Sequence, residues 1–442
     1  MPSSNPPRLF SIASLVLLLL VASAAQAERA LLDAAALSTV QRNADEILIT
    51  GLRLSDERQV DLLLMHVDPF ARDASLRRPG EEPLPLRSQR RYYSGAIVGE
   101  GHRSQASLSV GADGSIRGVL SERSGHWVLQ SDASRLQARS VSDQAAARST
   151  EHDHFQCGVD SAIQQQSIQA RMADELARPE LRQPRQDNGD RYRVRLAYDT
   201  TERFVNQFDD AQDVIDFLGD LTNFISSLYV NELNTEIVIS SITLRDADEP
   251  WDLGGDLLQQ FRNYWNSASN TVDQTRTIAH LVDAGPQSGI AYVGALCVNG
   301  FDYGLSQGLG TEFNPAANPQ NWSFLVVAHE IGHNFGSQHT HCYEPVVDEC
   351  FGTESGCFSG SPSLPGTTGQ GSGTIMSYCH LRPGGLSNIG ISLGRNHPFG
   401  NNPDRVPNTM RAHVLQRAAV NNARCPQLVA SGIFTDRFEP PE

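Results

Sequence analysis

The 442-residue chain reads as an α/β domain with a mostly parallel sheet, preceded by a β-rich region. Three observations predict this. Strand and helix patterns alternate from residue 192 to residue 335, short strand candidates with turn signals fill residues 92–129, and a hydrophobic content of 39% is ample for separate cores.

Arg8 precedes an apolar run from Leu9 to Ala25, and Ala25-Gln26-Ala27 has the small-x-small form of a cleavage site, so residues 1–27 are expected to be a signal peptide. An uncleaved anchor is the weaker alternative, because the densest stretch, Ile12 to Ala22, is shorter than the roughly 20 residues that span a bilayer. Nothing later in the sequence has the pattern of a transmembrane helix. In residues 28–190 the strand candidates are Tyr92 to Gly99, Ala106 to Val110, Ile116 to Leu120 and Trp127 to Leu129, with a hairpin signal at Gly111-Ala112-Asp113-Gly114. Gln164 to Asp190 is polar, and Arg182 to Gly189 within it is a candidate linker and cleavage region.

Residues 191–427 carry the α/β pattern. Tyr192 to Tyr198 alternates as a half-buried strand, and Asp210 to Tyr229 places Val214, Phe217, Leu218, Leu221, Phe224 and Leu228 at helical spacing. Ile237 to Leu244 is a β-branched strand, Leu257 to Trp265 a helix, and Thr277 to Val282 and Gly289 to Ala295 further strands. Ser323 to Phe335 is again a helix, and Thr409 to Ala423 closes the domain, with His413 as a surface or packing residue. The tail, residues 428–442, carries no derivable chemistry.

A formal net charge of −16 argues against nucleic acid as a partner, since phosphate binding wants clustered Lys and Arg. Seven cysteines suit an oxidising destination. Six (Cys297, Cys342, Cys350, Cys357, Cys379, Cys425) lie in the C-terminal half and are disulfide candidates, while Cys157 stands apart. The expected location is extracellular, or periplasmic if the protein is retained in a Gram-negative bacterium.

The segment His329-Glu330-Ile331-Gly332-His333-Asn334-Phe335-Gly336-Ser337-Gln338-His339 concentrates the chemistry. Residues four apart on a helix share a face, so His329 and His333 can address one metal ion, with Glu330 beside them as a candidate general base. Gly336 lets the chain leave the helix and bring back His339 as a third ligand. Three protein ligands leave the fourth position of a tetrahedral zinc open for water.

Downstream, Gly373-Thr374-Ile375-Met376-Ser377-Tyr378 supplies a methionine-containing turn. With it, the chain resembles the metzincin metalloproteases, and within them the reprolysin-like (adamalysin and ADAM) branch. Tyr292 to Cys297 is similar to that branch's strand before its first catalytic-domain cysteine, and Arg91 to Gly99 with Ile116 to Leu120 is similar to its propeptide. Two positions depart from the pattern. Thr340 stands where adamalysins usually carry Asp, and Tyr378 has the spacing of the astacin tyrosine that can join the metal or the oxyanion.

The resemblance implies a twisted five-stranded sheet with one antiparallel edge strand bordering the cleft, for which Tyr303 to Gln307 is the candidate. It implies a secreted endopeptidase made as a zymogen, acting on protein or peptide substrates with one catalytic Zn2+ and Glu330 as base; a calcium ion is compatible with the sequence but unsupported by it. Phe155-Gln156-Cys157-Gly158-Val159-Asp160 resembles the cysteine switch, in which a thiolate takes the water's place on the metal and the propeptide inhibits its own enzyme. A free or intermolecularly paired Cys157 is the alternative. The resemblance also pairs Cys297 with Cys425, and we expect the remaining bridges as Cys342–Cys379 and Cys350–Cys357. Leu386 and Ile389 are candidates for the specificity pocket.

Overall fold

The computed structural model describes residues 29–33, 44–122, 125–131, 135–140, 157–159, 187–246, 249–267, 272–311, 322–420 and 422–429. The expected signal peptide and most of the polar linker and C-terminal tail lie outside these residues.

The N-terminal strands are β1 (Arg29–Asp33), β2 (Glu46–Ser55), β3 (Arg58–Val67), β4 (Phe70–Arg77), β5 (Leu84–Pro85), β6 (Arg91–Ile97), β7 (Ser104–Val110), β8 (Ile116–Glu122), β9 (Gly125–Ser131) and β10 (Leu136–Ser140). Eight of them form one sheet in the order β1-β2-β3-β6-β7-β8-β9-β10. Beyond the β1–β2 pair its neighbours run antiparallel, and the β7–β8 hairpin turns at the anticipated glycines, with Gly114 at φ 82°. Alternating residues such as Ile47, Ile49, Leu62, Leu64, Tyr93, Leu108 and Leu120 bury one core on its inner face.

The second sheet collects β11 (Cys157–Val159), β12 (Tyr192–Thr200), β13 (Thr235–Thr243), β14 (Ile278–Val282), β15 (Ser288–Ala291), β16 (Tyr303–Gln307) and β17 (Gln427–Leu428). Its order is β11-β15-β16-β14-β12-β13-β4-β5, with β17 pairing β12. Within residues 192–307 the strands are parallel except β15, which runs antiparallel to β16. The strand bordering the cleft is thus β15 and not Tyr303 to Gln307. β16 has both edges paired because it lies between β14 and β15, and helices pack against it, an interior position that its short length did not announce.

Five of its strands, β12 to β16, lie within residues 192–307; among the described residues the sheet reaches nine because β4, β5 and β11 of the N-terminal region add to its two edges and β17 pairs β12. β11 pairs β15 in parallel, and β4 leaves the first sheet to pair β13, also in parallel. Helix α1 (Glu202–Val205) follows β12, and helix α2 (Ala211–Leu233) lies between the sheets. Asp210 caps α2 through Gln212 N and Asp213 N, and Asn234, at φ 49°, ends it. The apolar side of α2 packs on β13, while its polar side reaches the first sheet: Asn223 Nδ2 donates to Tyr93 O and Leu108 O, both at 3.3 Å, and Ser109 Oγ donates to the buried Asp220 carboxylate. Helix α3 (Leu257–Asn266) covers the sheet near β16, helix α4 (Trp322–Asn334) carries the candidate ligands, and helix α5 (Arg405–Ala418) closes the chain.

Candidate active site

Every residue of α4 is buried, so its polar groups must be paired or have a use. The helix ends in a double backbone closure, Gly336 N to His333 O at 2.8 Å and Ser337 N to Gly332 O at 3.1 Å. Gly336 sits at φ 96°, a conformation that glycine enters at little cost. The exit it makes returns His339 to the helix face. Asn334 fixes the end of α4 to the sheet by donating to Tyr292 O at 3.0 Å and Tyr303 O at 2.9 Å.

His329, His333 and His339 converge, fully buried, with ligand-capable atoms within 4.8 Å of one another. His329 Nε2 and His333 Nε2 are 3.1 Å apart, close to the spacing of two nitrogens each ~2.0–2.1 Å from one ion. The opposite ring nitrogens point outward: His329 Nδ1 donates to Ile375 O at 2.7 Å, His333 Nδ1 to Ser337 O at 2.8 Å, and His339 Nδ1 to Glu354 Oε2 at 2.8 Å. This tautomer leaves each Nε2 lone pair facing inward. His339 Nε2 is buried with no hydrogen-bond partner, an orphan that a metal ion would satisfy. Burial is the largest cause lowering all three titrations, His333 to about 3, with the neighbouring rings adding to it, so the imidazoles stay neutral and able to ligate.

Glu330, the residue after the first ligand, is fully buried beside β15. A Cβ built on Gly289 would meet its Oε1 and lie 2.7 Å from its carboxyl carbon, so the cleft strand and the carboxylate are in direct contact. Met376 is buried beneath the helix, where a Cβ on Gly332 would meet its Sδ. Thr340 N donates to Met376 O at 3.1 Å, which ties the third-ligand segment to the same turn. The ring of Tyr378 lies 4.3 Å from that of His339, so the structure brings this tyrosine to the site as well. Leu386 and Ile389 are buried in the same apolar cluster as Met376. His413 is buried against Gly336 and packs the exit turn.

Residues 190–385 match the family model for metallopeptidase family M12, of the reprolysin type. They form a reprolysin-like metallopeptidase domain, and the chain is a zinc-dependent metalloendopeptidase. Among solved structures, metalloproteinase-II from Bacteroides fragilis is similar at 10% identity and a TM-score of 0.39, covering 74% of this chain and 91% of that one. A chaperone–substrate complex is similar at 10% identity and a TM-score of 0.28, covering 88% of this chain and 62% of that one.

The described residues carry three disulfides. Cys297–Cys425 forms as the resemblance implied, but the other pairs are Cys342–Cys357 and Cys350–Cys379 rather than Cys342–Cys379 and Cys350–Cys357. The loop after His339 doubles back, with Phe358 N donating to His341 O at 3.0 Å, and this sets the Cα atoms of Cys342 and Cys357 4.3 Å apart. Cys350 then meets Cys379, just beyond the methionine turn, at 4.8 Å. The loop also delivers Glu354, which sequence reasoning missed; the one available signal was an acidic residue inside a cysteine-rich segment that follows a ligand.

Proposed function

We propose that the protein is a secreted zinc endopeptidase made as a zymogen, with His329, His333 and His339 holding the ion and Glu330 as general base. The convergence of three neutral imidazoles on one buried point carries this reading. Bound zinc would lower the pKa of its water toward ~7 and polarise the scissile carbonyl. Glu330 accepts the proton of the attacking water and returns it to the leaving amine. β15 takes the extended substrate by strand addition, and its backbone holds the scissile region beside Glu330. Tyr378, next to His339, donates to the oxyanion. Six cysteines paired in disulfides support export to an oxidising compartment. Among the described residues no helix is long and apolar enough to cross a membrane.

The N-terminal region keeps the enzyme silent by occupying the strand that substrate must use. Support comes from the register of β11, in which Cys157 is the partner of Gly289, the residue in contact with Glu330. A thiolate carried on this strand would offer zinc a ligand in place of water. The test is casein degradation by the processed protein, abolished by a zinc chelator and by Glu330→Ala. Full activity of Glu330→Ala would overturn the assignment of the base.

A further inference from the structure

We propose that Glu354 is a positioning residue of the metal site, holding the His339 ring so that Nε2 faces His329 and His333. The inference rests on reading those histidines as a metal triad. Each ring hands its Nδ1 proton to an oxygen, but the three acceptors differ in kind. Ile375 O and Ser337 O are main-chain carbonyls, fixed by the methionine turn and by the helix exit. Glu354 Oε2, 2.8 Å from His339 Nδ1, is the one side-chain acceptor of the three. Main-chain carbonyls of the methionine turn and of the helix exit therefore aim two ligands, whereas the third, outside the helix, depends on a side-chain carboxylate.

Two features keep that carboxylate in place. His341 Nε2 donates to the same oxygen at 2.8 Å, and its ring stacks on His339 with centroids 5.4 Å apart and planes 9° from parallel. The Cys342–Cys357 bridge closes the loop on which Glu354 rides. His339 is fully buried while the Glu354 side chain keeps 23% of its exposure, so the carboxylate sits at the rim with its Oε2 directed at the buried ring. A carboxylate behind a ligand imidazole fixes its tautomer and raises its basicity, and loss of such a partner lowers metal affinity on the order of 10- to 100-fold.

The experiment measures zinc affinity of the full chain by competition with a chromophoric chelator, alongside the melting temperature of the metal-free protein. Glu354→Ala is expected to bind zinc on the order of 10- to 100-fold more weakly. Glu354→Gln, which keeps an acceptor oxygen, recovers part of the loss, and the metal-free melting temperature of both variants stays near that of the parent. The double variant Cys342→Ser/Cys357→Ser weakens zinc in the same direction, and adding Glu354→Ala to it costs little more, because both act on one contact. Affinity of Glu354→Ala within threefold of the parent overturns the proposal. So does a loss that Glu354→Gln does not recover and that tracks a fall in metal-free melting temperature. A parent protein that binds no zinc would sink the triad as well, an outcome told apart by the parent's own titration.

Discussion

Gly289→Ala tests the contact between cleft strand and base directly. The added Cβ would lie 2.7 Å from the carboxyl carbon of Glu330 and 2.9 Å from its Cγ. Ordinary carbon–carbon contact is ~3.5–4.0 Å, so strand or carboxylate must give way by about 1 Å. Misplacement of a catalytic group by 1 Å costs on the order of 10²-fold in rate. None of the three histidines touches this Cβ among its nearest neighbours, so zinc content should stay at the parental value. The assay is peptide hydrolysis by the processed enzyme with metal content measured on the same sample. A fall in kcat of about 10²-fold at full zinc occupancy is expected. Parental kcat would refute the claim that Glu330 works against the backbone of β15, and loss of zinc would show that the strand supports the ligands instead.

Three further outcomes follow from the same structure. Cys157→Ala should give an unprocessed chain with measurable peptidase activity; a precursor as silent as the parent would refute the latch. Burial lowers the titration of His280 and His413 to about 3 and of His126 to about 4, against an unfolded value near 6.5. The unfolded chain therefore binds more protons between these limits, and stability, full above pH ~6.5, should fall by up to ~1.4 kcal/mol per pH unit for each histidine as pH drops toward 4. Thermal melts of the metal-free protein from pH 7 to pH 5 check this, and a flat profile contradicts it. Finally, a chain made without residues 28–190 loses β4 from the edge of β13, along with Phe70, Leu86 and Tyr92 from the shared core, so its soluble yield should drop and recover when that segment is supplied in trans. Equal yield and melting temperature without the segment would show that the added strand is dispensable.

What the sequence disclosed was local. The ligand spacing from His329 to His339, the exit at Gly336 and the helical stripe of residues 214–228 are set within a few turns, where periodicity and backbone preference act alone. What it concealed was long-range. Phe70–Arg77 shows no clean alternation, because it pairs with a strand more than 150 residues away while its neighbours pair locally. Ser288–Ala291 is four residues long and contains glycine, so no propensity marked it as the cleft strand. The cysteine pairing and Glu354 depend on how an aperiodic loop folds back, which no spacing rule specifies.

The floor under the triad is a relay of close fits. Gly332 leaves a dent on the underside of the helix, the Met376 sulfur fills it, and the carbonyl of the preceding residue, Ile375, grips the first imidazole. Even a methyl group in that dent would push the sulfur down, drag the carbonyl with it and swing His329 off aim. A side chain at position 332 would thus act on the bearing of the first imidazole by way of the sulfur and the carbonyl beneath it.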